Sequence, residues 1–172
     1  MNRKYCLDPL VDIETKLVIL GTIPGEKSLL KKCYYGNEKN HFWDIVYRTL
    51  QPEFSCFELA ESKSILERYK LLLENKIGLW DVIESCERKG SSDSKIKNEN
   101  LNDFTTFFKR YPNIKTVLFN GSKSEKYFRK EYKDGVFSSI KFYQLNSTSS
   151  MNSNNTFKIL NEWKCQIETI GL

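Results

Sequence analysis

Lys16-Leu17-Val18-Ile19-Leu20-Gly21 sets four consecutive apolar residues between a lysine and a glycine. An unbroken apolar run ended by glycine is the pattern of a strand buried on both faces, as in parallel sheets. Working outward, Ile77–Val82, Thr116–Phe119 (closed by Asn120-Gly121) and Ile140–Leu145 read as three more strands. Helical spacing fills the gaps. One helix starts near His41, with Phe42, Val46 and Leu50 on one face. Ser64–Asn75 is a second, with Ser64 and Glu67 spaced as a capping box and Ile65, Tyr69 and Leu72 on one side. Asp103–Tyr111 carries Phe104, Phe107, Phe108 and Tyr111 and is stopped by Pro112. Ser122 and Glu125 form another box opening a helix to about Tyr132, and Thr156–Ile167 closes the chain. The polar stretches 84–102 and 146–155 read as loops.

Strands alternating with helices predict an α/β fold in three αβα layers, with a short, mostly parallel four-stranded sheet. Neither a repeat nor a linker interrupts residues 1–172, so a single domain is expected. Ligands of such sheets sit beyond the carboxyl ends of the strands. The polar loops 21–40, 81–102 and 145–155 leave those ends and should converge on one site.

Composition narrows the class. A mean hydropathy of −0.53 without any long apolar run excludes a membrane-spanning helix and a secretory leader, so a cytoplasmic protein is expected. The five cysteines are scattered and never spaced as C-x-x-C, which argues against a disulfide framework, a zinc site or an iron–sulfur cluster. A net charge of +5 leans mildly towards polyanionic partners.

After the first strand comes Gly21-Thr22-Ile23-Pro24-Gly25-Glu26-Lys27-Ser28. A phosphate-binding loop needs glycine just before the lysine, and Glu26 puts a carboxylate where the phosphate would lie. The longer stretch LGTIPGEKSLLKKCYYGNEKNHFW (residues 20–43) accounts for more positions. It resembles the first signature of the uracil-DNA glycosylase superfamily, loosely G-[ST]-x-P-G-x-x-S, an aromatic pair, then N-x-F-W. Gly21, Thr22, Pro24, Gly25, Ser28, Tyr34, Tyr35, Asn40, Phe42 and Trp43 fit in order. Asn37-Glu38 stand near where relatives often carry His-Pro. The block from Gly78 to Ile96 (GLWDVIESCERKGSSDSKI) is similar to the hypoxanthine-removing branch, and Phe119-Asn120-Gly121 matches the end of the third strand. Leu145–Asn152 (LNSTSSMN) resembles the last signature, L-P-S-T-S-P-A-N, with Asn146 and Ser150 in place of both prolines.

The resemblance implies an enzyme that flips a deaminated nucleotide out of DNA and hydrolyses its N-glycosyl bond, with no metal or cofactor, leaving an abasic site. Hypoxanthine is the first expected base, uracil or xanthine the next, and a monomer is expected. The resemblance makes Asn40 the catalytic residue, since the acidic or asparagine position of the first loop is Ile23 here. Asparagine also commonly caps helices, and both roles are open to Asn40. Asp81 stands where uracil-specific relatives read the pyrimidine with an asparagine; a carboxylate acceptor suits the N1–H of hypoxanthine. Gly21, Thr22, Ile23, Pro24 and Asn120 should line the base pocket, with Tyr34 and Tyr35 as stacking platforms or core. Gly25, Ser28, Ser147, Thr148 and Ser149 are the expected DNA contacts. The last loop lacks the histidine that uracil-removing relatives use on the leaving anion. The alternatives are a DNA-binding relative without turnover and a phosphate-loop nucleotide binder.

Overall fold

The computed structural model describes residues 3–52, 63–150 and 156–170. Cys56 and the Met151–Asn152 end of the last signature lie outside them. The strands are β1 (Arg3–Tyr5), β2 (Leu17–Gly21), β3 (Ile77–Asp81), β4 (Ile83–Glu87), β5 (Lys97–Leu101), β6 (Thr116–Asn120) and β7 (Lys141–Leu145). The helices are α1 (Glu26–Lys31), α2 (Phe42–Leu50), α3 (Ile65–Glu74), α4 (Phe104–Arg110), α5 (Ser122–Glu131) and α6 (Thr156–Ile170).

The apolar run that opened the reading is β2, and Leu17, Val18, Ile19 and Leu20 are all fully buried. Successive strand side chains point to opposite faces, so a strand buried on both faces needs cover on both. Leu17 and Ile19 pack with Phe42, Ile45, Leu72 and Trp163, from α2, α3 and α6. Val18 and Leu20 pack with Phe104, Phe107 and Phe128, from α4 and α5. Each such side chain contributes about 1.5–3 kcal/mol on burial. The result is a three-layer α/β fold around a sheet of order β3-β2-β6-β7, in which every pair is parallel. Its register sets Gly21 beside Asp81 and Asn120 beside Leu145. The segments leaving these four positions therefore start from one edge of the sheet.

Three local expectations need correction. Residues 84–102 are not a loop: β4 and β5 form an antiparallel hairpin that joins β1 in a second sheet. Lys97–Leu101 reads K-N-E-N-L and is exposed along most of its length, so it carries no apolar alternation to detect. A short helix, α1, occupies part of the stretch read as a loop before residue 40; only Ser28 of its six residues is buried. Ser122 and Glu125 do not form a capping box. Gly121, at φ 97°, precedes the helix without a side-chain cap, and Ser124 Oγ donates to Gly121 O at 2.8 Å. The Ser64 box does form: Glu67 N–H donates to Ser64 Oγ (3.2 Å) and Ser64 N–H to Glu67 Oε2 (2.8 Å).

Candidate active site

One cavity of about 580 Å³ opens beyond the carboxyl ends of β2, β3 and β6. It is lined by Gly21, Thr22, Ile23, Pro24, Gly25, Ser28, Tyr34, Tyr35, Asn40, Asp81, Asn120, Ser147 and Ser149. The three polar segments thus meet, and the first two signatures and the last face each other across a single opening.

A hydrogen-bond chain ties them together. Asn120, at the end of β6, donates through Nδ2 to Tyr35 Oη (3.0 Å) and Thr148 Oγ1 (2.9 Å), while its Oδ1 accepts from Thr148 N–H (2.9 Å). Thr148 Oγ1 donates to Asn40 Oδ1 at 2.9 Å. The same Asn40 oxygen accepts the Phe42 N–H at 2.9 Å, and His41 N–H donates to Thr148 O at 3.0 Å. Asn40 therefore precedes the N-cap residue His41, accepts from the first amide of α2 and lines the cavity at once. The backbone donor fixes which end of its amide is oxygen.

This places several expected residues in supporting positions. Thr148 is fully buried and does not line the cavity; its hydroxyl, amide and carbonyl are engaged within the fold, which accounts for it as a brace rather than a phosphate contact. Asn120 has both ends of its amide engaged in the same way. Ser28 is buried, with Oγ accepting from Gly36 N–H at 3.0 Å. Tyr34 is core, its hydroxyl donating to Leu7 O and Asp8 O at 3.3 and 3.0 Å. Tyr35 stacks on Phe42, with centroids 3.7 Å apart, and takes a left-handed backbone at φ 52°. A non-glycine residue in this backbone region costs on the order of 1 kcal/mol. Burial raises both tyrosine hydroxyls far above their ordinary pKa, so they remain neutral donors.

Asp81 is the most perturbed charge in the cavity. Its side chain is 4% exposed, and Oδ2 is buried without a hydrogen-bond partner. Burial, then the negative charge of Asp93, pushes its pKa up to about 7, against the pull of Arg88. A Cβ at Gly21 would lie 2.5 Å from Asp81 Oδ1, so the absent side chain makes room for the carboxyl.

Sequence reading missed the hairpin's contribution. Ser91, Ser92, Asp93 and Ser94 line the cavity from the β4–β5 connection, joined by Lys27, Asn37 and Lys123. Arg88, wholly buried, donates through Nη2 to Pro24 O and through Nη1 to Asp93 Oδ1 at 3.2 Å. Burial raises the Asp93 pKa, and Thr22 and Arg88 oppose that rise. Ser91 Oγ accepts from Glu26 N–H at 2.9 Å. The spacing C-x-R-x-G-S-x-D was visible, but nothing in it says that the arginine turns inward. Ile23 packs its side chain on Ile83 and Cys86.

The family model of the uracil DNA glycosylase superfamily matches residues 9–165. The chain belongs to the uracil-DNA glycosylase superfamily. That places it among DNA glycosylases, hydrolases of N-glycosyl bonds. It is similar to a hypoxanthine DNA glycosylase of Methanosarcina barkeri (38% identity over 125 residues, covering 73% of this chain and 75% of that one). A hypoxanthine DNA glycosylase of Methanosarcina acetivorans is 37% identical over 118 residues, covering 69% and 71% of the two chains. The solution NMR structure of a protein described as a uracil DNA glycosylase, also from Methanosarcina acetivorans, superposes with a TM-score of 0.81 at 28% identity. That alignment covers 99% of this glycosylase and 100% of the other chain. Among the described residues no cluster of His, Cys, Asp or Glu could hold a metal ion, and no helix is long and apolar enough to cross a membrane.

Proposed function

We propose that this glycosylase releases hypoxanthine from DNA by hydrolysing the N-glycosyl bond of a flipped-out deoxyinosine, leaving an abasic site. The observation that carries the reading is Asp81: a buried carboxyl at a strand end, lining a cavity, with one oxygen lacking a partner. Buried polar groups without partners are costly, and a ligand N–H relieves that cost. Hypoxanthine presents one at N1, where adenine presents a bare acceptor. A cavity of about 580 Å³ falls in the usual range of small-molecule sites, roughly 300–1,000 Å³. The names of the Methanosarcina relatives point to the same base.

In this reading Tyr35, which lines the cavity, packs against the base, and Asn40 holds the water that attacks the sugar. Gly25, Ser147 and Ser149 flank the opening where phosphates would run. The transition state pairs an oxocarbenium-like sugar with a departing base anion, and hydrogen bonding at N7 helps the purine leave. Uracil is the slower substrate, because Ser147–Ser149 offer no histidine to its anion.

Matched oligonucleotides carrying hypoxanthine, uracil or xanthine, single- and double-stranded, test this under single-turnover conditions with alkaline cleavage of the product. Hypoxanthine release should be fastest, with the strand intact before alkali. Uracil release at or above the hypoxanthine rate would overturn the substrate assignment, and no release from any of them would overturn the glycosylase reading for this chain.

A further inference from the structure

The cavity poses a problem in proton bookkeeping. Asn40 Oδ1 already accepts from Phe42 N–H and Thr148 Oγ1, which use both of its lone pairs. What remains of the amide can only donate, and a donor holds a water without taking a proton from it. Position 23 supplies no acid either, because it is isoleucine packed on Ile83 and Cys86. Among the described residues, the carboxylates lining the cavity are Asp81 and Asp93. Asp81 is almost wholly buried at the end of β3, beside Gly21, where the base edge is read.

Asp93 is placed differently. It reaches the cavity from the β4–β5 connection, half-buried, and is tied to the first loop on the far side of Ile23. Arg88 bridges it to Pro24 O. A carboxylate thus stands beside Ile23, a loop position that carries no acid of its own. A wholly buried arginine holds it through one charge-assisted hydrogen bond, Arg88 Nη1 to Asp93 Oδ1 at 3.2 Å.

We propose that Asp93 is the general base of this reaction, taking a proton from the attacking water and opposing the positive charge of the sugar. The assignment rests on the glycosylase reading and adds a catalytic residue to it. In the step, water oxygen bonds to C1′ as the C1′–N9 bond breaks and its electron pair leaves with the base. The water proton passes to the Asp93 carboxylate, the base takes a proton from solvent, and Asp93 returns its own to solvent. Burial raises the Asp93 pKa against the opposing pull of Thr22, Arg88 and Lys123, which makes the carboxylate a better proton acceptor near neutrality. Asp81, Cys86 and Tyr127 are the other titratable groups within its field.

The test compares Asp93→Asn, Asp93→Ala, Arg88→Met and Asp81→Asn in the full chain. Single-turnover release from hypoxanthine oligonucleotide is followed from pH 5 to 9, with affinity for an abasic-site duplex measured alongside. Asp93→Asn should slow release by about 100-fold or more, the usual range for a lost general base, while abasic-site affinity changes little. Wild-type rate should fall towards acid in two parts, one from each carboxylate, and the part that persists in Asp81→Asn should vanish in Asp93→Asn. Added formate should partly restore Asp93→Ala, which a lost strut would not allow. Near-wild-type release by Asp93→Asn overturns the proposal. So does a loss matched by Arg88→Met with no rescue by formate, since Asp93 would then only fasten the loop. A wild-type protein that releases no deaminated base at all defeats the glycosylase reading instead, and Asp93 with it.

Discussion

Asn40 and Thr148 lie 108 residues apart in sequence and meet at 2.9 Å, Thr148 Oγ1 donating to Asn40 Oδ1. That contact fixes the orientation of the amide taken here as holding the attacking water. It also passes through Asn120 to Tyr35, so one hydroxyl braces the water side and the base side together.

Thr148→Val keeps the shape and removes the hydroxyl. Asn120 Nδ2 keeps Tyr35, and Asn40 Oδ1 keeps the Phe42 N–H. The expected stability loss is about 1–3 kcal/mol, from a buried polar network left partly unpaired. Single-turnover base release should fall as well. Urea denaturation and rate measurements on one preparation check both; an unchanged rate would mean that the Phe42 N–H alone is enough to hold Asn40.

Asn40→Ala should remove most base release while the protein stays folded. Losing the acceptor at the start of α2 should cost about 1 kcal/mol, the usual effect of a lost helix cap. Thermal melting and single-turnover rates measured together separate the two roles. A folded variant with nearly wild-type release would leave Asn40 as a cap and nothing more.

Asp81 gives stability a pH dependence of unusual sign for a carboxylate. Its folded pKa of about 7 lies above the value of an unfolded aspartate, so the folded state binds the proton more tightly. The associated stability is present in full below about pH 4 and is lost as pH rises through about 7. Asp81→Asn should abolish this component, which makes it more stable than wild type at pH 8 by an amount on the order of a few kcal/mol and raises its melting temperature there. Melting curves at pH 5 and 8 for both proteins decide it. A variant less stable than wild type at pH 8 would show that the ionised carboxylate is satisfied in the fold.

Gly21→Ala probes the same contact from the other strand. The new methyl would lie 2.5 Å from Asp81 Oδ1, so the carboxylate or the strand end must shift. Overpacking of this kind costs about 1–3 kcal/mol. Hypoxanthine release should fall further than stability alone explains, because the shifted group is the one assigned to the base. Full activity in a folded Gly21→Ala protein would remove Asp81 from that assignment.

DNA affinity should be salt-sensitive. The chain carries a net charge of +5, and Lys27 and Lys123 stand at the cavity. About four phosphate contacts would give a log–log slope near −3.6 against salt on duplex DNA. Titration of an abasic-site duplex across salt concentrations measures it, and a flat response would contradict phosphate recognition.

How much could be read beforehand varied with how each element is buried. β2, β3 and β6 were legible because three-layer packing demands apolar residues, and α4 because Phe104, Phe107 and Phe108 mark one helix face. β5 was not legible, since an edge strand with its side chains largely in solvent is free to read K-N-E-N-L. That one gap hid the cavity's second carboxylate, because Asp93 sits in the connection that β4 and β5 position. Asn40 and Asp81 were found through the resemblance and not through spacing. The internal hydrogen bonds that hold Asn120, Thr148 and Ser28 needed the contacts themselves.

The strand order has a temporal side. β2 takes β6, about a hundred residues downstream, as one neighbour, and β7 joins only through β6. Such non-local pairing makes loop closure a large part of the folding barrier, so this domain should fold slowly for its size. A partly folded chain with β2 and β3 paired already possesses Gly21 and Asp81 side by side, yet it leaves Asn40 without the hydroxyl that orients it. Any base pocket of that early state would be able to hold a ligand before it could act on one. If Asn40 holds the attacking water, competence waits for residue 148 to dock, and turnover would report that contact.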